Sequence, residues 1–183
     1  MQKIISGGQT GADQAGLRAA KFLGIPTGGW LPKDCMTLDG PRPDLIDLYS
    51  MREHTGGYAA RTEANVRDAD GTIRIAEFFS SPGEKRTKRA IKWFNKVWFD
   101  VDVKNPPDPE KVRTWLKENN IAVLNVAGNA EQTSPGIGDF AYRFLLTVFS
   151  SENPSVTDKN DNSDNSDPGN EDGPHDQSVR GEG

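Results

Sequence analysis

Three glycines, a serine, a glutamine, a threonine and an aspartate stand within eight residues in Ser6-Gly7-Gly8-Gln9-Thr10-Gly11-Ala12-Asp13. The stretch "SGGQTGADQAG" lies between a short β-branched run and a helix of small residues. Glycine lets ligand oxygens approach bare backbone, and a helix start offers unpaired N–H groups and the positive end of its dipole. The chemistry this suits is capture of a phosphate or another anion. A tight strand–helix turn capped by Thr10 or Asp13 is the structural alternative. The spacing fits neither a Walker A loop, which needs Gly-Lys-Ser/Thr, nor the dinucleotide fingerprint.

Three further polar clusters accompany it. Arg61 and Asn65, four apart, share a helix face with Thr62 between them, and could hold a polar ligand or simply face solvent. Val126-Ala127-Gly128-Asn129 ends an apolar strand, where Gly128 permits close approach of a ligand or only terminates the strand. Ser80-Ser81-Pro82-Gly83-Glu84-Lys85-Arg86-Thr87 enters a basic helix whose cations could meet phosphate or be solvated.

The elements that must position these clusters alternate. "KIIS" (3–6) reads as a strand and Ala12 to Leu23 as a helix whose small stripe lies close on a sheet. Gly24 and Pro26 end that helix, and "TGGWL" (27–31) reads as a second short strand. Residues 32–57 lack a period, and a stretch of that length is often a functional lid or binding loop. Helices are expected over 58–70 and 83–96, strands over 71–76 and 97–103. Asp108-Pro109 opens a further helix, "IAVLNVAG" (121–128) is a strand, and 136–149 is a final helix. Strands joined by helices imply parallel pairing and helices on both faces. The expected fold is an α/β, Rossmann-like three-layer sandwich with a mostly parallel sheet of about five strands. Its ligand crevice would lie beyond the strands' carboxyl ends, where every cluster above falls.

The chain has 183 residues and a formal net charge of −5. Residues 1–150 fit one domain. From Glu152 to Gly183, nine acids face only Lys159 and Arg180, a net −7 that leaves the rest at +2. With almost no apolar residues, 151–183 is expected to be a disordered acidic tail. Its sign disfavours nucleic acid. One cysteine, Cys35, excludes an intramolecular disulfide, and two histidines, His54 and His175, leave little for a metal centre. No run is apolar enough for a membrane span and no secretory signal stands at the start, so a soluble cytoplasmic protein is expected.

"IISGGQTGADQAGLRAA", "GIPTGGWLPK", "RTEANVRDADGT" and "VLNVAG", in that order, resemble the putative molybdenum carrier family, a circularly permuted YpsA-like branch of the SLOG superfamily. The resemblance covers roughly residues 1–140. It implies binding of molybdenum cofactor (molybdopterin), a phosphate-bearing pterin, often in a homo-oligomer; other members of the superfamily bind nucleotides, and some cleave nucleoside monophosphates. Two positions depart from the pattern. Ser81-Pro82-Gly83-Glu84 replaces a Gly-Gly-Thr, and Asn129-Ala130 replaces a Pro-Arg after Gly128. The lost arginine removes a charge-assisted contact worth about 1.5–3 kcal/mol, which Lys85 or Arg86 could restore.

The expected ligand set is Ser6, Gly7, Gly8, Gln9, Thr10, Gly11, Asp13, Arg61, Thr62, Asn65, Lys85, Thr87 and Gly128. Gly7, Gly8 and Gly11 would give backbone donors, Thr10 a hydroxyl, Arg61 and Asn65 charge and orientation. The alternative is an enzyme cleaving the N-glycosidic bond of a nucleotide, with Asp13 or Glu63 activating water. Binding is favoured, because no paired acid is evident and a cap role accounts for Asp13.

Overall fold

The computed structural model describes residues 1–150; the expected acidic tail lies outside the described residues. Five strands form one wholly parallel sheet: β1 (Lys3–Ser6), β2 (Thr27–Gly28), β7 (Gly71–Ala76), β8 (Val97–Asp102) and β9 (Val123–Gly128), in the order β2-β1-β9-β7-β8. The register pairs Ser6 with Val126 and Ile75 with Gly128, so β1, β9 and β7 end along one carboxyl edge. The Rossmann-like sandwich is therefore as the sequence predicts.

Helices α1 (Ala12–Phe22), α5 (Pro109–Glu118) and α6 (Ile137–Ser150) cover one face. Ala12, Ala15, Ala19, Val112, Leu116, Ala141 and Leu145 join Ile4, Ile73, Ile75, Leu124 and Val126 in the main core there. The small stripe of α1 matters, because a Cβ on Gly16 would come within 2.7 Å of Val126 on β9. Helices α3 (Tyr58–Asp68) and α4 (Pro82–Trp93) form the opposite layer, packed through Val66, Ala90 and Ile91. The Asp108 carboxylate accepts from Glu110 N at 2.9 Å with Pro109 at the first position, the cap the sequence predicts.

Residues 27–57 depart from the expectation. "TGGWL" is not one strand. Gly29, at φ 123°, a conformation L side chains rarely adopt, turns the chain out of the sheet after β2. The next strand, β3 (Trp30–Leu31), pairs instead with β6 (Arg52–Glu53). Between them lie a 3-10 turn (Lys33–Cys35), a hairpin of β4 (Met36–Thr37) and β5 (Gly40–Pro41), and α2 (Asp44–Tyr49). The segment is a small folded unit with its own core of Leu17, Leu31, Cys35, Leu45, Tyr49 and Met51. Its elements are too short to show a period.

Candidate functional site

From the middle of the sheet, β1 leads outward to β2 while β7 leads outward to β8 on the other side, with β9 between them. Loops part at such a reversal and leave a crevice at the carboxyl edge. A cleft of about 470 Å³ lies there, a size ordinary for small-molecule sites. The loop after β1 contributes Gln9 and Asp13, α3 contributes Tyr58, Arg61, Thr62 and Asn65, and the start of α4 contributes Ser81, Pro82, Gly83, Arg86 and Thr87. The end of β9 brings Asn125, Ala127 and Gly128, followed by Asn129 and Ala130, and Leu38 projects from the hairpin.

The glycine loop is closed on itself. Asp13, 4% exposed, receives Gln9 N–H and the Arg61 guanidinium on Oδ2, each at 3.2 Å. Thr10 N donates to the Gln9 side-chain oxygen at 2.9 Å, Ala12 N to Asn129 O at 3.2 Å, and Gln14 N to Gln9 O at 3.1 Å. The group that this turn holds is the protein's own Asp13 carboxyl. Burial raises the Asp13 pKa, and Arg61 and the backbone donors oppose that rise without cancelling it. The expected side-chain cap of α1 is absent: Gly11 is the N-cap and no side chain bonds there.

The glycines also face protein. A Cβ on Gly8 would come within 2.5 Å of Leu31 and 3.2 Å of Met51, in the small core, and one on Gly11 would meet the backbone of residues 129–131. One on Gly7 would collide with the Arg61 guanidinium, and one on Gly128 with Ile75 O. Of the thirteen expected ligand residues, Gln9, Asp13, Arg61, Thr62, Asn65, Thr87 and Gly128 line the cleft. Ser6, Gly7, Gly8, Thr10, Gly11 and Lys85 do not. Arg86, the other cation offered in place of the missing arginine, does.

Several lining side chains serve the scaffold first. Asn65 accepts from Trp30 N at 2.9 Å and donates to Trp30 O at 3.1 Å, pinning the chain where it leaves the sheet. Thr62 donates to Tyr58 O and Thr87 to Gly83 O within their own helices. Asn129 accepts from Glu77 N at 3.0 Å and Phe78 N at 2.9 Å, fastening the turn after β7. That bond set gives Asn129 a structural task. Gln9 ties loop to hairpin: its side-chain oxygen also accepts from Leu38 N at 2.9 Å. Thr10 Oγ1 donates to Gln132 at 2.9 Å, and Gln132 in turn donates to Asp39. Leu38 is thereby held over the cleft.

Arg61 differs from these. Its side chain is 12% exposed, its one hydrogen bond within the described residues is the 3.2 Å contact to Asp13, and its buried Nε has no partner. Charge-assisted bonds usually close to 2.7–2.9 Å. A guanidinium with five donors and one long bond is under-coordinated. Arg61 does reach the glycine loop, as its place on α3 predicts.

Sequence reasoning missed Asn125, Leu38, Tyr58 and Thr133 as lining residues. Asn125 left a signal, being polar in the middle of the buried run "VLNVAG"; its amide donates to Thr72 Oγ1 at 3.2 Å. Glu84, 1% exposed, has its pKa pushed up to about 7 by burial, against the pull of Arg74 and with the charges of Asp13 and Asp100 adding to the rise. Glu84 does not line the cleft, however, and Glu63 borders a separate hollow with Arg89 and Trp93.

Fold and site together define a Rossmann-like α/β protein with a cleft at its topological switch point. The chain belongs to the circularly permutated YpsA SLOG family, whose profile matches residues 4–149. It is similar to the crystal structure of a putative molybdenum carrier protein from Syntrophus aciditrophicus SB. The two share 34% sequence identity over 81% of this chain and 95% of that one, with a TM-score of 0.74. No curated protein matches the chain. Among the described residues no helix is long and apolar enough to cross a membrane, and no His/Cys/Asp/Glu group is arranged to hold a metal ion.

Proposed function

We propose that the protein binds a phosphate-bearing pterin or nucleotide in the cleft and acts as a carrier or sensor of that ligand, with molybdenum cofactor as the pterin form. The observation that carries this reading is Arg61: a nearly buried guanidinium on the cleft wall with most of its donors unused. A phosphate could satisfy them at small cost, because the cation is already desolvated and held. Arg86, at the start of α4, offers a second positive charge across the cleft, where the helix dipole also favours an anion.

The rest of the wall suits a flat heterocycle. Leu38, Tyr58, Pro82, Ala127 and Ala130 give apolar surface, while Asn125 and Thr133 place polar groups among them. Among the described residues no histidine or cysteine lines the cleft, so a molybdenum carried there would keep its sulfur ligands from the pterin. The name of the Syntrophus relative agrees with this cargo. Hydrolysis of a nucleotide is less well supported: Asp13 is committed to Arg61 and Gln9, and Glu84 is sealed from the cleft.

Native mass spectrometry of the purified protein should retain a pterin or nucleotide mass at one per chain. Titration calorimetry with a pterin phosphate and with adenosine monophosphate should give saturable binding that weakens as salt rises. The lack of both a retained mass and any binding heat with either class would refute the reading, and release of free adenine would favour the hydrolase.

A further inference from the structure

The outward face of α4 carries cations that form no ion pair among the described residues. Lys85, Arg86, Arg89 and Lys92 are exposed, and Lys96 follows just past the helix end. Positions 85, 89 and 92 repeat at helical spacing and so form one stripe, which Lys96 follows in sequence. Among the described residues none of these five cations has an ion-pair partner, whereas Lys88, on the flank, lies 3.8 Å from Asp100. Trp93, 82% exposed, sits in the stripe beside a shallow hollow bounded by Glu63, Arg89 and Ala90. A helix face of one sign, with a large apolar side chain set in it, is a surface suited to an acidic segment.

The chain supplies such a segment. Residues 152–183 carry nine acids and two cations, and four of the acids, Asp158, Asp161, Asp164 and Asp167, recur every third residue. An extended chain advances about 3.3–3.6 Å per residue, so this segment can span on the order of 100 Å. A domain of ~150 residues has a radius of gyration of only about 15 Å. Every part of the surface is therefore in reach of the tether. We infer that residues 152–183 dock intramolecularly on the basic stripe of α4, between Lys85 and Lys96. Single exposed ion pairs bind weakly, but a tether presents the segment at an effective concentration on the order of millimolar. A free polyanion such as nucleic acid would have to displace it, and a chain of net −5 repels one. This docking does not depend on what the cleft holds.

Zero-length carbodiimide cross-linking of the full chain in 20 mM salt tests the inference. It joins lysine amines to carboxylates in contact. Links from tail carboxylates to Lys85, Lys92 or Lys96 within one chain are expected, with yield falling at least threefold in 0.5 M sodium chloride. The full-chain variant Lys85→Ser/Arg89→Ser/Lys92→Ser should lose the tail links to the stripe and to Lys96. As a second measurement, replacing all nine tail acids by Asn or Gln should shift the α4 backbone amide resonances of the otherwise unchanged fold. Three results would overturn the inference: tail links dominated by Lys3, Lys21, Lys33, Lys111 or Lys117, links between chains in an isotope-mixed sample, or α4 resonances indifferent to the tail acids.

Discussion

Two arginines with little exposure, Arg74 and Arg61, meet acids in opposite ways. Arg74 on β7 is 2% exposed and holds Asp100 with two bonds, 2.8 Å from Nε and 2.6 Å from Nη2. Its Nη1 stands 3.4 Å from both the carbonyl and the carboxylate of Glu84, and its guanidinium lies over the Phe79 ring at 5.1 Å. Arg61 has one long bond and an orphaned Nε, and it opens on the cleft. Both are desolvated cations, so burial alone does not separate scaffold from site. The separating quantity is saturation: Arg74 has its donors answered by the fold, and Arg61 does not.

Breaking the saturated pair should cost most. Arg74→Ala leaves the buried Glu84 without its counter-charge and Asp100 with only Lys88 at 3.8 Å, and removing one partner of a buried pair costs on the order of 3–5 kcal/mol. Urea unfolding at pH 7.5 measures it. Affinity for the pterin or nucleotide probe should stay within about threefold, provided the variant folds; a tenfold loss of affinity would erase the distinction between the two arginines.

Next is the acid that Arg74 cannot fully hold. Burial pushes Glu84 up to about 7 from its ordinary 4.5. Above pH ~4.5 the unfolded chain releases this proton while the folded protein retains it. Stability is therefore lost as pH rises from about 4.5 to about 7 and is level beyond. The term is bounded near roughly 3 kcal/mol, at 1.36 kcal/mol per pH unit. Glu84→Gln removes it, so urea curves at pH 5 and pH 8 should lie closer together for the variant than for the wild type. Parallel pH profiles would show that Glu84 keeps its charge in the fold.

The under-coordinated arginine should matter least for stability. Arg61→Ala takes one long bond from Asp13, whose pKa burial already raises and which can accept a proton in exchange. A loss of about 1–2 kcal/mol is expected. Ligand affinity should fall more than tenfold, and Arg61→Lys should restore only part, because an ammonium lacks the planar fork. A variant that unfolds as readily as Arg74→Ala, or binds as tightly as the wild type, would make Arg61 another scaffold arginine.

The sequence by itself determined the α/β alternation, because β-branched runs and helical stripes of small or apolar residues are local patterns that fold as written. The caps of α5 and the stripe of α6 belong to the same class, as does the gathering of all four polar clusters at one sheet edge, which parallel connectivity imposes. Membership of the family was equally legible in "SGGQTGAD" and "RTEANVRDADGT". The tertiary structure alone decided who partners whom. Whether a glycine loop cradles an outside anion or its own Asp13 depends on amide directions that composition does not encode. Gly8 turned toward Leu31 and Met51, and Asn65 taken by Trp30, follow from the exit of the chain at Gly29, a single backbone torsion with no period to announce it. Glu84 reads in sequence as one more surface acid of a basic helix. It becomes a buried, partly neutralised group only because α4 lays its third residue against Arg74 on a strand ten residues earlier.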